Sequence, residues 1–499
     1  MKGTDMDQNF VKRIRNADLL KKVMTADEAA AFIKPGMTLG ISGFTVGNPK
    51  SIGGALAKRA EAGEKLDLTV LSGASTGDEF DGVLARAGAI RRRYPYQTNN
   101  DLRNAINAGK VSYFDITLSQ VPQWIKSNFF GKIDVAVVEA TAIDENGNII
   151  PSTSIGISNV CVECADKVIV EVNTAMPEEL EGLHDIYSPK KAPNTEPIPV
   201  VSVDHRVGTT YIPCDPEKIV AVVHTNMRDT GRPVAEPDDE FRQMAKNLVN
   251  FLKDEVKAGR LCDPLPPLQA GVGSVSNAVL DGLRESDFEN LTVYSEVLQN
   301  SVFDLIEEGK VVYASGTSLT ISSDKQDEFF EKLPIYRDKI ILRPQEISNH
   351  PEVIRRLGTI AINTVIEADI YGNTNSSYVD GVRLMNGVGG SGDFCQNAGL
   401  SLFITKSTAK NGTLSSIVPL VSRVDHTIHE IHALVTEQGV ADLRGLDPVE
   451  RANAIIDNCA HPKFRKALHE YFDNAMAACK YKGNPVDINA AVNFDKVSK

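Results

Sequence analysis

Runs of apolar and β-branched residues alternate with amphipathic stretches along most of the chain. The runs that predict strands are 37–44, 66–73, 133–143 and 166–173, and the stretches that predict helices are 8–34, 49–63, 240–259 and 461–479. The strand segments are apolar at consecutive positions, which is typical of strands buried on both faces. The pattern therefore predicts an α/β fold with largely parallel, buried sheets separated by helices.

The two halves of the chain resemble each other in three segments that occur in the same order. The matching pairs are LGISGFTVGNPKSIGGALAKR (39–59) with LQAGVGSVSNAVLDGLRES (268–286), LTVLSG (68–73) with LTVYSE (291–296), and VEATAIDENGN (138–148) with IEADIYGN (366–373). A polar stretch at 226–240, which contains proline and glycine, separates the halves. We predict two related α/β domains, residues 1–228 and residues 229–499.

The repeat draws attention to Glu296. Ser295 and Glu296 follow a predicted strand, and an apolar run resumes at Val297. A carboxylate in apolar surroundings is costly unless it is paired, hydrogen-bonded or used in chemistry. Gly73 occupies the matching position in the first half, so the repeated unit does not require a carboxylate there. From the residues alone, Glu296 is either catalytic or a structural carboxylate that caps a helix or forms a salt bridge.

Two glycine-rich turns in the second half are candidate ligand-binding loops. One is the stretch GVGS at 271–274, between an apolar run and a helix, and the other is NGVGGSGDF at 386–394. Such turns expose backbone N–H groups and let a ligand come close to the backbone. Neither turn matches the complete dinucleotide-binding fingerprint, and the chain has no GxxxxGK[ST] phosphate loop. The motifs therefore give little support to a nicotinamide cofactor.

Three other patterns suggest chemistry less strongly. GASTG matches the GxSxG nucleophile elbow with Ser75 at its centre, but the acidic sequence DEFDG follows and makes a poor oxyanion site. His426, His429 and His432 are three residues apart between strand-like flanks, and we expect satisfied or surface histidines rather than a zinc site. The CxxC at 161–164 has no partner pair, which argues against metal or redox chemistry.

Composition narrows the class of protein and its location. The net charge of −13 argues against a general nucleic-acid partner, although the basic stretch at 90–103 could be either a solvated helix end or an anion-binding edge. Seven cysteines in 499 residues are typical of reduced thiols in the cytosol. The chain starts without a signal-peptide pattern and has no apolar run of about 18 residues, so we expect a cytoplasmic protein without a membrane segment.

With these residues in view, the sequence resembles the acetyl-CoA hydrolase/transferase family of class I CoA-transferases, over nearly the whole chain. The most similar subgroup is the succinyl-CoA:acetate or propionate CoA-transferases. The motifs that carry the resemblance are GISGFT, RRYPYQTN, IPSTSIGIS, TEPIP, QAGVGSVSNAV, YSEVLQ, LRPQEISN, IEADIYGN, MNGVGGSGDF, SSIVPLVS and VTEQGVADLRGL.

The resemblance implies two related α/β domains of the class I CoA-transferase type, in agreement with the repeat, and a homodimer. It implies that Glu296 is the nucleophile, that the backbone around Val272 and Gly390 forms the oxyanion site, and that Asn349 and Glu437 are polar residues near the nucleophile. The implied CoA site consists of Gly271, Val272, Gly273, Ser274, Val275, Ile366, Asn386, Gly390 and Lys410. The family's carboxylate-binding arginine has no aligned counterpart, and Arg228 and Arg232 are the nearby candidates.

The activity that the resemblance implies is transfer of CoA between succinyl-CoA and acetate by a ping-pong mechanism, through a glutamyl-CoA thioester on Glu296. The substrates would be an acyl-CoA and small carboxylic acids, with no tightly bound cofactor and no metal. Two related alternatives stay open: an acetyl-CoA hydrolase with the same nucleophile, and a transferase for propionyl-CoA with succinate or butyryl-CoA with acetate. A metabolite-binding regulator and a hydrolase that uses Ser75 are alternatives of other classes.

Overall fold

The computed structural model of the protein describes residues 7–231, 237–271 and 273–494. It confirms the predicted α/β class. The first sheet has the strand order β4-β3-β2-β1-β5-β7-β8, all parallel, with β6 antiparallel beside β5. Its strands are β1 (Thr38–Ile41), β2 (Leu68–Leu71), β3 (Ile90–Tyr94), β4 (Ser112–Tyr113), β5 (Val135–Ile143), β6 (Ile149–Pro151), β7 (Lys167–Asn173) and β8 (Ile219–Thr225).

The helices of the first half cover this sheet and include short 3-10 turns at Leu118–Gln120 and Glu178–Leu180 and a π-turn at Asp78–Gly82. The α-helices are α1 (Gln8–Lys12), α2 (Ala17–Leu20), α3 (Ala26–Ala30), α4 (Ile52–Glu61), α5 (Val83–Arg86), α6 (Asn100–Asn107), α7 (Val121–Lys126) and α8 (Ser158–Cys164).

The second half contains a larger set of strands, listed here in chain order. They are β9 (Leu268–Ala270), β10 (Leu291–Tyr294), β11 (Val297–Gln299), β12 (Val311–Gly316), β13 (Ser318–Thr320), β14 (Ile340–Leu342), β15 (Ile360–Thr364), β16 (Glu367–Asp369), β17 (Thr374–Asn375), β18 (Tyr378–Val379), β19 (Arg383–Leu384), β20 (Leu400–Ile404), β21 (Thr408–Ala409), β22 (Leu414–Ser415), β23 (Ile417–Val418), β24 (Ala433–Thr436) and β25 (Gly439–Asp442). The main sheet has the order β14-β12-β10-β9-β15-β20-β24-β25, and β25 is its antiparallel edge.

The helices of the second half confirm the long segments predicted near 240–259 and 461–479. They are α9 (Asp239–Lys257), α10 (Ser274–Arg284), α11 (Asn300–Glu307), α12 (Gln326–Glu331), α13 (Leu333–Tyr336), α14 (Gln345–Ser348), α15 (Pro351–Leu357), α16 (Ser391–Asn397), α17 (Pro448–Asn458), α18 (Pro462–Ala478) and α19 (Ile488–Val492).

The two sheets confirm the internal repeat. Each starts from a central strand, β1 or β9, adds the next strands on one side, and then adds later strands on the other side. The third matching pair is equivalent in detail, because the Asp144 carboxylate accepts the N–H of Asn148 as the Asp369 carboxylate accepts the N–H of Asn373. The domain division at residues 228 and 229 lies between the sheets and stays a prediction.

One sequence-based prediction of local structure is wrong. Residues 8–34 are not one helical stretch, because the chain bridges to the first sheet at two points: Arg15 N–H donates to Ile143 O and Met24 N–H to Val222 O, both at 3.0 Å. The basic stretch at 90–103, for which the sequence leaves two interpretations open, begins as strand β3 and ends in the first turn of α6, so a helix end describes only its last residues.

The arginines of β3 differ in their surroundings. Arg93 is buried and binds Asp81 through Nε and Nη2 at 2.9 and 3.0 Å, which makes it structural. Arg91 and Arg92 are exposed, and an anion-binding edge at these positions stays a prediction.

The strand order of the second sheet indicates at which edge of the sheet a ligand would bind. Strands that follow β9 along the chain leave on opposite sides of it, so β9 and β15 define a point where the winding reverses. In open parallel sheets, ligands bind in the crevice outside the carboxyl ends of the strands at such a point. The loops after β9, β10 and β15 meet there, and Glu296 lies in the loop after β10.

Candidate active site

Glu296 is buried at the carboxyl end of the second sheet, in the short link between β10 and β11. Its backbone carbonyl accepts the N–H groups of Thr317 and Ser318, which anchors the residue to the chain that leads into β13. Its side-chain Oε1 accepts from Asn349 Nδ2 at 3.2 Å, and Oε2 accepts from Gln269 Nε2 at 3.3 Å. The residue is only 7% exposed, so the carboxylate depends on these amide groups for its solvation.

The surroundings of Glu296 decide between its structural and catalytic interpretations. Among the residues that the structure describes, no lysine, arginine or histidine forms an ion pair with it. It does not cap the following helix either, because α11 begins after Gln299 without a side-chain cap. Burial raises the pKa of Glu296 to about 7, and the Asn349 and Gln269 hydrogen bonds offset this only in part. Perturbed carboxyl groups of this kind are concentrated at functional sites.

Gly390 lies directly against the Glu296 carboxylate. A Cβ atom at this position would be 1.7 Å from Glu296 Oε1 and 2.4 Å from Asn349 Nδ2, so only glycine fits. Gly390 immediately precedes α16, and its N–H has no acceptor among the described residues. The glycine-rich turn thus lies directly against the carboxylate, and its backbone N–H groups are candidates for the donors that an oxyanion site requires.

A second carboxyl group lies one hydrogen bond away from Glu296. Asn349 Nδ2 also contacts Asp393 Oδ2 at 3.2 Å, and Asp393 in turn accepts the N–H and hydroxyl of Ser119. Burial is the main cause that raises the pKa of Asp393 to about 7, and the nearby charge of Glu296 adds to it. Ser119 belongs to the first half of the chain, and Asp393 belongs to the second. Both halves therefore help to position the Asn349 amide that donates to Glu296.

The first half also forms a wall over the glycine-rich turn. The ring of Tyr96 lies so close that a Cβ at Gly387 would be 3.0 Å from it, and Asn386 Nδ2 donates to the Tyr96 hydroxyl at 3.3 Å. Val388 N–H donates to Asp115 Oδ2 at 2.9 Å. Burial raises the pKa of Asp115 to about 7 and that of Tyr96 to about 12, so at pH 7 Tyr96 is neutral and Asp115 is about half protonated.

The first predicted CoA-binding turn lies near Glu296. Gly273 has φ +119° and opens α10, whose first turn has no side-chain cap. Gly271 O accepts from Gln299 Nε2 at 3.0 Å, which joins the turn to the end of β11. Ser274 and Val275 begin α10 with partly exposed side chains, and Val272 lies outside the described residues. The turn therefore leaves N–H groups available to an anionic ligand.

The remaining predicted residues differ in how closely the structure joins them to Glu296. Asn386 Oδ1 is buried and has no hydrogen-bond donor among the described residues, so it could accept a hydrogen bond from a ligand. Ile366 follows β15, and Lys410 is exposed in the turn between β21 and β22. Glu437 accepts from Ser407 N–H at 2.9 Å and from its hydroxyl, with no contact to Glu296. These assignments stay predictions.

The candidate arginine for the carboxylate substrate does not face Glu296. Arg228 donates to Asp327 Oδ1 at 3.2 Å, and its guanidinium lies over the Phe330 ring at 4.6 Å. Arg232 lies outside the described residues.

The patterns centred on Ser75 and the histidines do not form catalytic sites in the described structure. Ser75 Oγ accepts the Thr98 N–H at 3.0 Å and shares a hydrogen bond with the Thr98 hydroxyl. His426 is buried, whereas His429 is exposed and His432 Nδ1 accepts a backbone N–H, so the three rings do not converge.

A cavity of about 1190 Å³ lies elsewhere in the described structure. It is a groove between α9, α10 and α11 on the side of α10 that faces away from the sheet, and it contains neither Glu296 nor the glycine-rich turn. Ligand assignment therefore rests on the convergence of polar groups at Glu296 rather than on cavity size.

Sequence reasoning missed four residues of this site. Gln269, Asp393, Tyr96 and Asp115 are brought together only by the fold, although the first three lie in the motifs QAGVGS, GGSGDF and PYQTN. Gln97, next to Tyr96, is buried with no partner for either atom of its amide among the described residues.

The comparisons agree with this geometry. Residues 6–224 match the acetyl-CoA hydrolase/transferase N-terminal domain and residues 326–472 match the corresponding C-terminal domain. The chain is 53% identical to the succinyl-CoA:acetate CoA-transferase of Clostridium kluyveri over 97% of its own length and 89% of that protein. It is 46% identical to the propanoyl-CoA:succinate CoA transferase of Escherichia coli, covering 91% and 93%. It is 44% identical to the acetyl-CoA hydrolase of Candida glabrata, covering 93% and 91%.

A solved structure extends the comparison to the fold. RipA from Yersinia pestis superposes with a TM-score of 0.70 at 25% identity, over 91% of this chain and 97% of that one.

The chain belongs to the acetyl-CoA hydrolase/transferase family. It is an enzyme of the class I CoA-transferase type, and acyl-CoA is the substrate on which this family acts. No helix in the described residues is long and apolar enough to cross a bilayer.

Proposed function

We propose that the enzyme transfers CoA between succinyl-CoA and acetate through a glutamyl-CoA thioester on Glu296. The observation that carries the proposal is a buried carboxylate with no cationic partner in the described structure, held by two amides and pressed against a glycine-rich turn. A carboxylate solvated in this way is more reactive than one in water, and Asp and Glu form covalent intermediates when a site organises them. The similarity to the Clostridium kluyveri enzyme supports the acid pair.

The first half-reaction has two steps that balance without an external proton. A Glu296 oxygen attacks the thioester carbon of succinyl-CoA, the C–S bond breaks, and a mixed anhydride and CoA thiolate form. The thiolate then attacks Cδ of Glu296, succinate leaves as a carboxylate, and the glutamyl-CoA thioester remains. Each attack puts negative charge on an oxygen that the N–H groups around Gly390 can stabilise, and one such donor is typically worth about 3–4 kcal/mol.

The second half-reaction reverses this sequence with acetate. Acetate attacks the glutamyl thioester, the thiolate leaves, and its attack on the acetyl carbon releases acetyl-CoA and the free Glu296 carboxylate. No step changes an oxidation state, so we infer that the chemistry needs no tightly bound cofactor. The wall of Tyr96 and Asp115 covers the glycine-rich turn and helps to keep water from the anhydride.

Isotope exchange tests the proposal against the hydrolase alternative. Labelled succinate should enter succinyl-CoA when acetate is absent, because the first half-reaction is reversible on its own. A hydrolase with the same nucleophile, as several relatives are named hydrolases, could show this exchange too, but it would release free CoA at a rate that acetate does not change. Exchange that appears only when acetate is present would contradict a ping-pong mechanism. The same assay with propionate and butyrate ranks the alternative acid pairs.

The rate of glutamyl-CoA formation should rise with pH and level off above about pH 7. Burial raises the pKa of Glu296 to about 7, so the ionised nucleophile becomes scarce at lower pH. Each pH unit below the pKa should lower the rate about tenfold. Rapid-quench measurement at low succinyl-CoA concentration reports the free enzyme. Asp393→Asn should keep the inflection even if it slows the reaction, and a flat profile between about pH 5 and 8 would contradict the assignment.

Ser75→Ala should leave the rate of CoA transfer within about threefold of the wild-type rate. The Ser75 hydroxyl makes two hydrogen bonds to Thr98 and has no histidine partner in the described structure, so its loss removes two hydrogen bonds worth about 1 kcal/mol of stability each. Steady-state assays of the folded variant check this. Loss of activity in a Ser75→Ala protein with native stability would favour the serine hydrolase instead.

A cytoplasmic homodimer completes the proposal. The described cysteines are all unpaired, which supports a reducing compartment. The dimer rests on the family resemblance.

A metabolite-binding regulator would require neither Glu296 nor its contact with Gly390. If the protein shows neither isotope exchange nor turnover with several acyl-CoAs, the regulator becomes the favoured function.

A further inference from the structure

Three side chains with metal-binding atoms converge beside α16, outside the contacts of Glu296. Cys395 lies on α16, and His426 and Glu430 lie in the segment between β23 and β24. Cys395 Sγ is 3.5 Å from His426 Nδ1, and that nitrogen is 3.9 Å from Glu430 Oε2. All three ligand atoms lie within 4.8 Å of one another. The spacing of the histidines did not predict this cluster, because Cys395 comes from α16, a separate segment of the chain.

The hydrogen bonds around His426 show which ring nitrogen is available. The Ser391 hydroxyl donates to Val388 O at 2.7 Å, so its single proton is used. It must therefore accept from His426 Nε2, which lies at 2.9 Å. The ring proton is then on Nε2, and the lone pair of Nδ1 points toward Cys395 and Glu430. Metal-bound histidines usually have this arrangement, with the other ring N–H held by a polar partner.

The distances suit a small tetrahedral ion. Zn–S and Zn–N bonds of about 2.3 and 2.05 Å place the two ligand atoms about 3.5 Å apart, which matches the Cys395–His426 separation. A carboxylate oxygen bonded at about 2.1 Å would lie about 3.4 Å from the nitrogen, compared with 3.9 Å in the structure, so Glu430 needs to move by at least about 0.5 Å. Cys395 and His426 are buried, whereas the Glu430 side chain is 19% exposed, which gives an ion a path and a water a fourth position.

We propose that Cys395, His426 and Glu430 form a binding site for a thiophilic divalent cation, with Zn²⁺ as the best fit. A thiolate and a carboxylate neutralise the charge of the ion, and a thiolate ligand disfavours Mg²⁺ and Ca²⁺. The thiol proton is released when the ion binds. The ion would tie α16, which starts directly after Gly390, to the segment before β24. It stabilises that helix and takes no part in the acyl transfer.

Cobalt is the spectroscopic probe for the test. Metal-free protein should bind one equivalent of Co²⁺ with a thiolate-to-cobalt charge-transfer band and the intense visible bands of a four-coordinate ion. Zn²⁺ should displace it, with release of about one proton per ion in weak buffer. Cys395→Ser should abolish the charge-transfer band and weaken Zn²⁺ binding at least about 100-fold, and Ser391→Ala should weaken it about 10- to 100-fold.

Cys262→Ser is the matched control, because Cys262 is exposed and far from the cluster in sequence. It should keep both the band and the affinity. The proposal is overturned if the wild-type protein shows no charge-transfer band, or if the band survives Cys395→Ser, and loss of the band with Cys262→Ser would place the ion at Cys262. Glu430→Gln provides a second test should Cys395→Ser fail to fold: unchanged Zn²⁺ affinity in that variant would also reject the site. These readouts are independent of enzymatic activity.

Discussion

Glu296→Gln should lower the rate of CoA transfer by at least about 10⁴-fold, the order of loss seen when a covalent nucleophile is removed. Glutamine keeps the shape of the side chain and its acceptor for the Asn349 hydrogen bond, but an amide cannot form the anhydride. Isotope exchange between labelled succinate and succinyl-CoA should be lost to the same extent. The measurement is steady-state turnover and exchange on protein with native thermal stability.

Glu296→Asp is the graded companion of this variant. It retains a carboxylate but withdraws it by one methylene from Asn349 and Gln269, and a misplacement of about 1 Å typically costs about 10²-fold. The aspartate variant should therefore be intermediate. Exchange at a few per cent or more of the wild-type rate in the glutamine variant would contradict the role of Glu296.

Gly390→Ala should lower the rate of glutamyl-CoA formation by at least about 10³-fold, a loss comparable to removal of an oxyanion donor. The added Cβ would lie 1.7 Å from Glu296 Oε1, so the carboxylate or the turn has to move. Either movement separates the nucleophile from the N–H groups of the turn. Single-turnover kinetics with succinyl-CoA measures the effect directly.

Gly54→Ala provides the matched control for Gly390→Ala. Gly54 lies within α4, and a Cβ there meets no atom within 4 Å. The substitution should leave catalysis unchanged and stabilise the helix by about 0.5–1 kcal/mol. Wild-type kinetics in Gly390→Ala would show that the turn does not position the carboxylate.

The fold could be predicted well from the sequence because its signals are local and repeated. Consecutive apolar residues in β5 and β7 reflect burial on both faces, and the pairing of 68–73 with 291–296 identified the strands β2 and β10 as equivalent. The helical prediction for residues 8–34 is wrong because of contacts with distant parts of the chain. The helical periodicity is interrupted where Ile14 and Val23 bridge to strands far along the chain, and no local pattern reports such a contact.

The site could be predicted only in part. The alignment of Gly73 with Glu296 indicated that the repeated unit does not require a carboxylate at this position. In the structure, a Cβ at Gly73 would lie only 2.9 Å from Gly43 O. The partners of Glu296 are amides and backbone groups from separate loops. Gln269 and Asn349 have no charge or spacing that distinguishes them from other amides, so their role depends on the order of β9, β10 and the helices that follow.

The most direct test of Glu296 as the carrier of CoA is intact mass spectrometry after mixing with succinyl-CoA alone, followed by peptide mapping. We expect a gain of one CoA less one water on the peptide that contains Glu296. Acetate should discharge the adduct as acetyl-CoA, and the Glu296→Gln protein should show none. A CoA or succinyl adduct on any other peptide, or steady turnover with acetate while no adduct forms, would contradict it.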